Sequence, residues 1–437
     1  MTEKKEFKGL WFIPKEPTKK VAGTLYFFPN ETIKLELIGS LSAEDPISQN
    51  NFPVIQGEAY DVSKNEIKFS VITLFSCRAT PSNLAHFDVF PLTFYRCSYI
   101  LFGKHLASKE DAVFNKIRIC LPYLNNWCQT GQWQLKYSDN GDIAIKNYEF
   151  FCRNYQINSN SCLSFRAKHL PPSKNHDYEY NLHISSYIEI KNIQKSSFID
   201  LLSQIGWFKD FYSFMAMTAI PFLKISLFDN DVFYQDMEGN PLVDQVGEQW
   251  LYPIDLYFLP ENIIEIREKD YSHSFLSIYR DIESDFETII KNWYEKKEDS
   301  EPIIKHLIDS ATFKRTFSSI DFLIVVQAIE GYYNRFIKED NLTNIINNLY
   351  NKYCDIHKVA LNKVNSDQVV DSRHYCSHFF KKNKKKNVCK GWELYQLTEQ
   401  LKPLLICCVL SLIGIENNEI NKLLSSYYQS NRNQFLK

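Results

Sequence analysis

No Cys-x-x-Cys pair occurs in this 437-residue chain, although it carries eleven cysteines. That excludes a zinc-knuckle signature, which needs two thiolates at that spacing. The odd count and irregular spacing also give no disulfide framework, so mostly free, buried thiols in a reducing, cytoplasmic compartment are expected. No glycine-rich phosphate loop and no nucleophile elbow is present, which excludes the common nucleotide-binding and Ser-His-Asp hydrolase classes. Charge of one sign is lacking as well. The net charge is -2 and the pI about 6.6, so any nucleic-acid contact has to be local rather than global. Long apolar runs are missing: Leu404 to Leu410 is the longest, far short of the roughly 20 residues a membrane span needs. The charged opening Met1 to Lys8 is not followed by a signal-type apolar segment. A soluble protein with no membrane partner is expected.

A hydrophobic content of 44% with 23% charged residues is enough for a sizeable core. The length implies two or three domains. Aromatics make up 15%, with 32 Phe and 26 Tyr, and their main use is large buried side chains.

Two textures divide the chain. Up to about residue 195, short β-rich runs alternate with Asn, Pro and Gly breaks: Gly23 to Phe28, Thr32 to Gly39, Glu66 to Phe75 and Tyr187 to Lys191. In the second of these, Ile33, Leu35 and Leu37 fill one face at the two-residue period of a strand. A β-sandwich or open barrel is expected, with a helix near 198–218 and a further strand over Trp250 to Phe258. From about residue 275 apolar residues recur at three and four, and Gly and Pro nearly vanish. Helices are predicted over Ser274 to Trp293, Ile303 to Ile308, Ser319 to Ile337 (capped near Ser318) and Leu342 to Ile356. One more is predicted over Trp392 to Ile413, with Gly414 as its C-terminal cap and Pro403 as a kink or effective start. The expected fold class is α+β and multidomain. A β-rich region over 1–270 precedes an all-α bundle over 271–437.

The chemistry concentrates in Asp371-Ser372-Arg373-His374-Tyr375-Cys376-Ser377-His378. A permanent cation and two imidazoles within six residues supply a fixed positive charge, a proton acceptor and a proton donor. Those parts suffice to cut a phosphodiester without a metal. If Asp371 or Ser372 caps a helix, Arg373, His374 and His378 fall in its opening turns. His374 and His378 then share one face, and the positive dipole end favours an anionic phosphate. The loose spacing alone is weak evidence, since Arg267 to His273 also fits it.

The motif Arg373-His374-x-x-x-His378 resembles the catalytic signature of the HEPN ribonuclease superfamily. Val369 to Tyr375, Leu394 to Leu397 and Leu405 to Gly414 resemble its ApeA-like group. Gly9 to Trp11, Val21 to Leu25, Leu101 to His105 and Trp127 resemble the ApeA N-terminal domain. The resemblance spans nearly the whole chain. It implies an endoribonuclease of anti-phage abortive infection that needs no metal or other cofactor. The neighbouring 2′-hydroxyl attacks phosphorus and leaves a 2′,3′-cyclic phosphate. His378 is then the general base or acid, Arg373 holds the scissile phosphate, and His374 orients it or transfers the second proton. RNA is the implied substrate, with transfer RNA a candidate. A homodimer through the helical domain and a phage-derived trigger sensed by the N-terminal region are the implied partners.

Other readings stand beside this one. Lys381, Lys382, Lys384, Lys385 and Lys386 are five lysines in six residues just after the motif. They are candidate phosphate contacts, or simply a solvated loop. His374, Cys376, His378, Cys389 and Cys354 could supply zinc ligands, but Cys376 points away from the histidine face. Glu330, in the apolar helix Phe322 to Phe336, is a candidate partner for Arg373 or half of a core-edge salt bridge. The alternative function is a non-enzymatic helical interaction or ligand-binding module.

Overall fold

The computed structural model describes residues 4–29, 31–41, 51–62, 68–80, 92–128, 134–137, 143–146, 151–169, 173–176, 179–181, 184–243, 247, 249–259, 275–312, 318–353, 364–378 and 386–430. The chain opens with β1 (Lys5–Phe12), β2 (Val21–Phe28), β3 (Thr32–Ile38), β4 (Phe52–Asp61), β5 (Lys68–Thr80) and β6 (Leu92–Arg96). These pair antiparallel in the order β5-β4-β1-β2-β3-β6, and β5 pairs again with β6, so the six strands close into a barrel. Closure removes the sheet edges that an open arrangement would leave unpaired. Alternation fills the interior: Ile33, Leu35 and Leu37 point inward with Trp11, Leu25, Phe27, Ile55, Ile72 and Leu74. Gly57 stands where a Cβ would lie 2.3 Å from the Trp11 ring, so the indole packs directly on backbone.

The long strand β5 also pairs with β7 (Tyr99–Phe102), which carries the sheet on beyond the barrel. There it runs β7-β17-β16-β8-β15-β12-β11. These strands are β8 (Val113–Cys120), β11 (Phe151–Gln156), β12 (Ser161–His169), β15 (Ile184–Ser197), β16 (Lys224–Phe228) and β17 (Ile254–Phe258). Two small hairpins lie apart: β9 (Gln134–Tyr137) with β10 (Ile143–Lys146), and β13 (Ser173–His176) with β14 (Glu179–Asn181). The short α1 (Leu124–Cys128) and the long α2 (Phe198–Met215) follow β8 and β15. Ser197 caps α2 by accepting from the Asp200 amide.

The helical half comprises α3 (Tyr279–Ile282), α4 (Phe286–Glu295), α5 (Lys297–Thr312), α6 (Ser319–Phe336), α7 (Leu342–Tyr353), α8 (Ser366–His378), α9 (Trp392–Leu412) and α10 (Asn417–Ser430). Ser318 caps α6 as expected, accepting from the Ile320 amide. Gly414 ends α9 at φ 93°, a conformation that favours glycine. Three sequence expectations need correcting. The single helix over Ser274 to Trp293 is two, α3 and α4, because Ile282 and Glu283 turn the chain through Asp285 before helix resumes. Of the two roles expected for Pro403, the start of α9 does not hold; it sits buried inside the helix. The strand over Trp250 to Phe258 shortens to β17, with Trp250 and Leu251 instead in a bridged arm.

One apolar core joins the outer sheet to the bundle. Ile117, Ile119, Leu163, Phe165, Ile188, Ile190, Ile225 and Leu227 turn inward and share a cluster with α2 and the helices beyond 275. Trp207 on α2 and Trp293 on α4 stack at 4.7 Å. Each indole donates to the other's backbone carbonyl, at 2.9 and 3.0 Å. The Trp127 indole likewise donates to the Ser277 carbonyl at 2.8 Å. Large aromatic area and satisfied indole N–H groups make this seam a strong joint. Among the described residues no helix is long and apolar enough to cross a membrane.

Candidate functional site

Helix α8 carries the cluster, but it starts earlier than Asp371 or Ser372. The Asn365 side chain accepts from the Asp367 amide at 2.9 Å and its carbonyl accepts from Val369, which makes Asn365 the N-terminal cap. Arg373, His374 and His378 therefore lie in the second half of α8, not in its opening turns. The dipole argument for a phosphate at this cluster does not hold, because the positive end of the helix lies at Asn365. Asp371 and Ser372 have another use. The Asp371 carboxylate accepts from the Asn387 amide at 3.1 Å, and the Ser372 hydroxyl accepts from the Cys389 amide at 2.9 Å. They tie the segment before α9 back onto α8.

The shared face is real. The His374 and His378 rings stand one turn apart, with centroids 5.9 Å apart and planes inclined by 49°. His378 is exposed at the end of the described helix, whereas His374 is half-buried with its Nδ1 shielded from solvent. Arg373 donates from Nη2 to Oε2 of Glu330 on α6 at 3.1 Å, and each side chain remains 27% exposed. The Glu330 contact suggested by the sequence is thus present. A guanidinium partly in water and fixed by one carboxylate keeps donors to spare for a planar oxyanion. The Ser377 hydroxyl donates to the Arg373 carbonyl one turn back, at 2.7 Å.

On the other flank Lys390 lies over the Tyr375 ring, 4.3 Å from its centroid. Cys376 turns to that side too; burial raises its thiol, while Lys390 pulls it down. Burial also pushes up the Cys389 thiol, opposed by the bond to Ser372. Raised thiol values disfavour the thiolate that metal binding and nucleophilic attack need. Among the described residues no three His, Cys, Asp or Glu side chains group as metal ligands. Every described cysteine is a free thiol.

Of the lysine run, Lys386 is exposed directly beside the Asn387 to Asp371 tie. Lys381, Lys382, Lys384 and Lys385 lie outside the described residues, as do Cys354 and the Arg267 to His273 segment. Sequence reasoning missed the Lys390–Tyr375 pair, because nothing in the local pattern signals that the chain folds back there. It also missed Asn365, although Asn-Ser-Asp before Val369 and Val370 is a readable cap.

A closed β-barrel, an extended sheet and a helical bundle with Arg-His-x-x-x-His on one partly exposed helix make up the chain, the architecture that the resemblance to HEPN proteins leads one to expect. The comparisons agree. The family model of the ApeA N-terminal domain 1 matches residues 6–293, and that of the Apea-like HEPN matches 268–419. The chain belongs to the ApeA family, with the N-terminal and HEPN parts in that order. The two matches overlap over α3 and α4, the helices that carry Trp293 and the seam. No curated protein and no solved structure gives a significant match.

Proposed function

We propose that this chain is a metal-independent endoribonuclease of anti-phage defence that acts by abortive infection. The observation that carries the reading is the second half of α8, where two imidazoles stand one turn apart and the preceding residue is a partly exposed arginine. His378, the more exposed, removes the proton of a ribose 2′-hydroxyl. The freed oxygen attacks the adjacent phosphorus, forming the 2′,3′-cyclic phosphate as the bond to the 5′-oxygen breaks. His374 delivers the proton to that leaving oxygen. Arg373 binds the non-bridging oxygens, where charge accumulates in the transition state. Lys381, Lys382, Lys384, Lys385 and Lys386 grip neighbouring phosphates, which makes binding fall as salt rises. The substrate is cellular RNA, with transfer RNA the first to test. Residues 271–437 form the nuclease and pair as a homodimer that brings two motifs together. Residues 1–270 sense a phage-derived trigger and restrain it, in the cytoplasm.

One observation favours a second reading. Arg373 is already engaged by Glu330, so the cluster can serve as a structural bridge in a non-enzymatic module that signals through a partner. Purified full-length protein and its Arg373→Ala and His378→Ala variants, incubated with total RNA and excess chelator, separate the two. Cleavage by the wild type alone supports the nuclease. Absence of cleavage by any of the three, with and without phage extract, supports the module.

A further inference from the structure

The outer sheet has a second face, opposite the apolar one, and it is charged. Along β8, Lys116 and Arg118 alternate with buried isoleucines. Across the register, Lys116 stands directly opposite Lys191 on β15 and Phe228 on β16. Two lysines facing each other across a ladder repel. The Lys116 ammonium sits over the Phe228 ring at 4.8 Å and reaches Glu189 at 3.3 Å, yet Lys116 itself is buried. Glu189 is shared with Arg118 and Arg166, at 2.7 and 3.1 Å. Lys191 makes no ion pair among the described residues. Directly after Lys191 the β15–β8 register shifts, so β15 bulges away from its neighbour at this point. Bulges often open a ladder beside a binding site.

A cavity of about 160 Å³ occupies this position, lined by Lys116, Lys191, Asn230, Gln249 and Leu251. The last three come from the arm between β16 and β17. That arm is a bridged ribbon, with Phe233 opposite Leu251 and Val243 opposite Gln249, and with Tyr234 and Tyr252 stacked at 3.8 Å. Its root is pinned by buried Asp229, which accepts from Lys104 at 2.9 Å and Lys195 at 2.7 Å. The lining thus offers the exposed Lys191 ammonium, the Lys116 ammonium whose partner Glu189 is shared with two arginines, and two amides. Its size falls below the roughly 300–1,000 Å³ of drug-sized pockets, so the occupant is small.

We propose that this cavity between the sheet and the arm binds a phosphate group, free or on a small phosphorylated metabolite. Two lysine point charges suit a phosphate dianion, the amide N–H groups of Asn230 and Gln249 complete its donors, and the anion relieves the repulsion between Lys116 and Lys191. Occupation joins the arm to the sheet. The site is separate from α8 and does not depend on nuclease activity.

Thermal unfolding of the full chain tests this, titrated with inorganic phosphate or with a nucleoside monophosphate against chloride at matched ionic strength. Saturable stabilisation by phosphate is expected, since a ligand of the folded state raises its stability by mass action. Lys191→Gln and Gln249→Leu change exposed residues and should leave the chain folded, with a ligand-free melting temperature no lower than the parent's, because Lys191→Gln also removes the repulsion from Lys116. Each should weaken binding about tenfold or more. Equal affinity for both ligands identifies free phosphate as the source; tighter monophosphate binding identifies the phosphorylated metabolite. No saturable shift beyond chloride, or unchanged affinity in both variants, overturns the proposal.

Discussion

Arg373 and Glu330 hold the balance of the α8 face. Their 3.1 Å contact ties the guanidinium of α8 to α6. It is half-exposed, so it contributes little to stability, about 0–1 kcal/mol. Its value lies in aim. Glu330→Gln should leave the melting temperature within a degree or two while changing RNA cleavage at least tenfold, measured by initial rates. Arg373→Lys should not restore the activity lost in Arg373→Ala, because an ammonium cannot present the guanidinium's paired donors. Cleavage by Arg373→Lys at wild-type rates would contradict that role.

Glu189 shows the opposite case, a buried charge that matters to folding. Burial alone would raise its carboxyl, but Arg118, Lys116 and Arg166 outweigh it and hold the group below its ordinary value. The folded form therefore binds its proton less readily than the unfolded chain. The stability it contributes is present above the ordinary carboxylate value of 4.5. It is lost as pH falls through the lower folded value. Glu189→Gln should cost about 3 kcal/mol near neutrality by leaving three cations without their shared partner. Denaturant titrations of wild type and variant should converge as pH drops below 4.5. A constant difference down to the acid limit would be inconsistent with this account.

At the scale of elements, α8 depends on a cap that sits eight residues before Arg373. Asn365→Ala should cost about 1 kcal/mol in chemical denaturation, the usual worth of such a cap. Local fraying should also lower cleavage, because the histidine face needs an ordered helix. The strand alternation of Ile33, Leu35 and Leu37, the Ser318 cap and the Gly414 stop were all legible in sequence, since each is a local pattern with a local cause. The start of α8 was not. Asp371 and Ser372 look like caps, but they bond to the amides of Asn387 and Cys389, a tertiary contact between residues 16 and 17 positions apart. Barrel closure was hidden for the same reason. It depends on β5 pairing with both β4 and β6, while its further pairing with β7 leads out of the barrel, and no local periodicity encodes three partners. The shared face of His374 and His378 was readable because four residues make one turn, whatever begins the helix.

Across the whole molecule, the N-terminal region and the bundle do not meet as separate bodies with a polar gap between them. The Trp207–Trp293 pair and the Trp127 bond to Ser277 place one core across the expected 270/271 boundary. Packed side chains thus connect the outer sheet to the bundle, the contiguity that the proposed restraint requires. Trp293→Ala should remove about 3–5 kcal/mol. It should lower the unfolding of both halves together, seen as coincident loss of far-ultraviolet dichroism and tryptophan fluorescence. Two separate transitions in the wild type would show that the halves fold independently.

The central claim is that the α8 face breaks RNA through the neighbouring 2′-hydroxyl. Sequencing of RNA ends after induction, using ligation specific for 2′,3′-cyclic phosphates, tests it most directly. The account predicts defined cyclic-phosphate ends in wild type that disappear in both Arg373→Ala and His378→Ala, with each variant as thermally stable as the parent. Ends that persist undiminished in both variants, or that form only when a divalent metal is supplied, would contradict it.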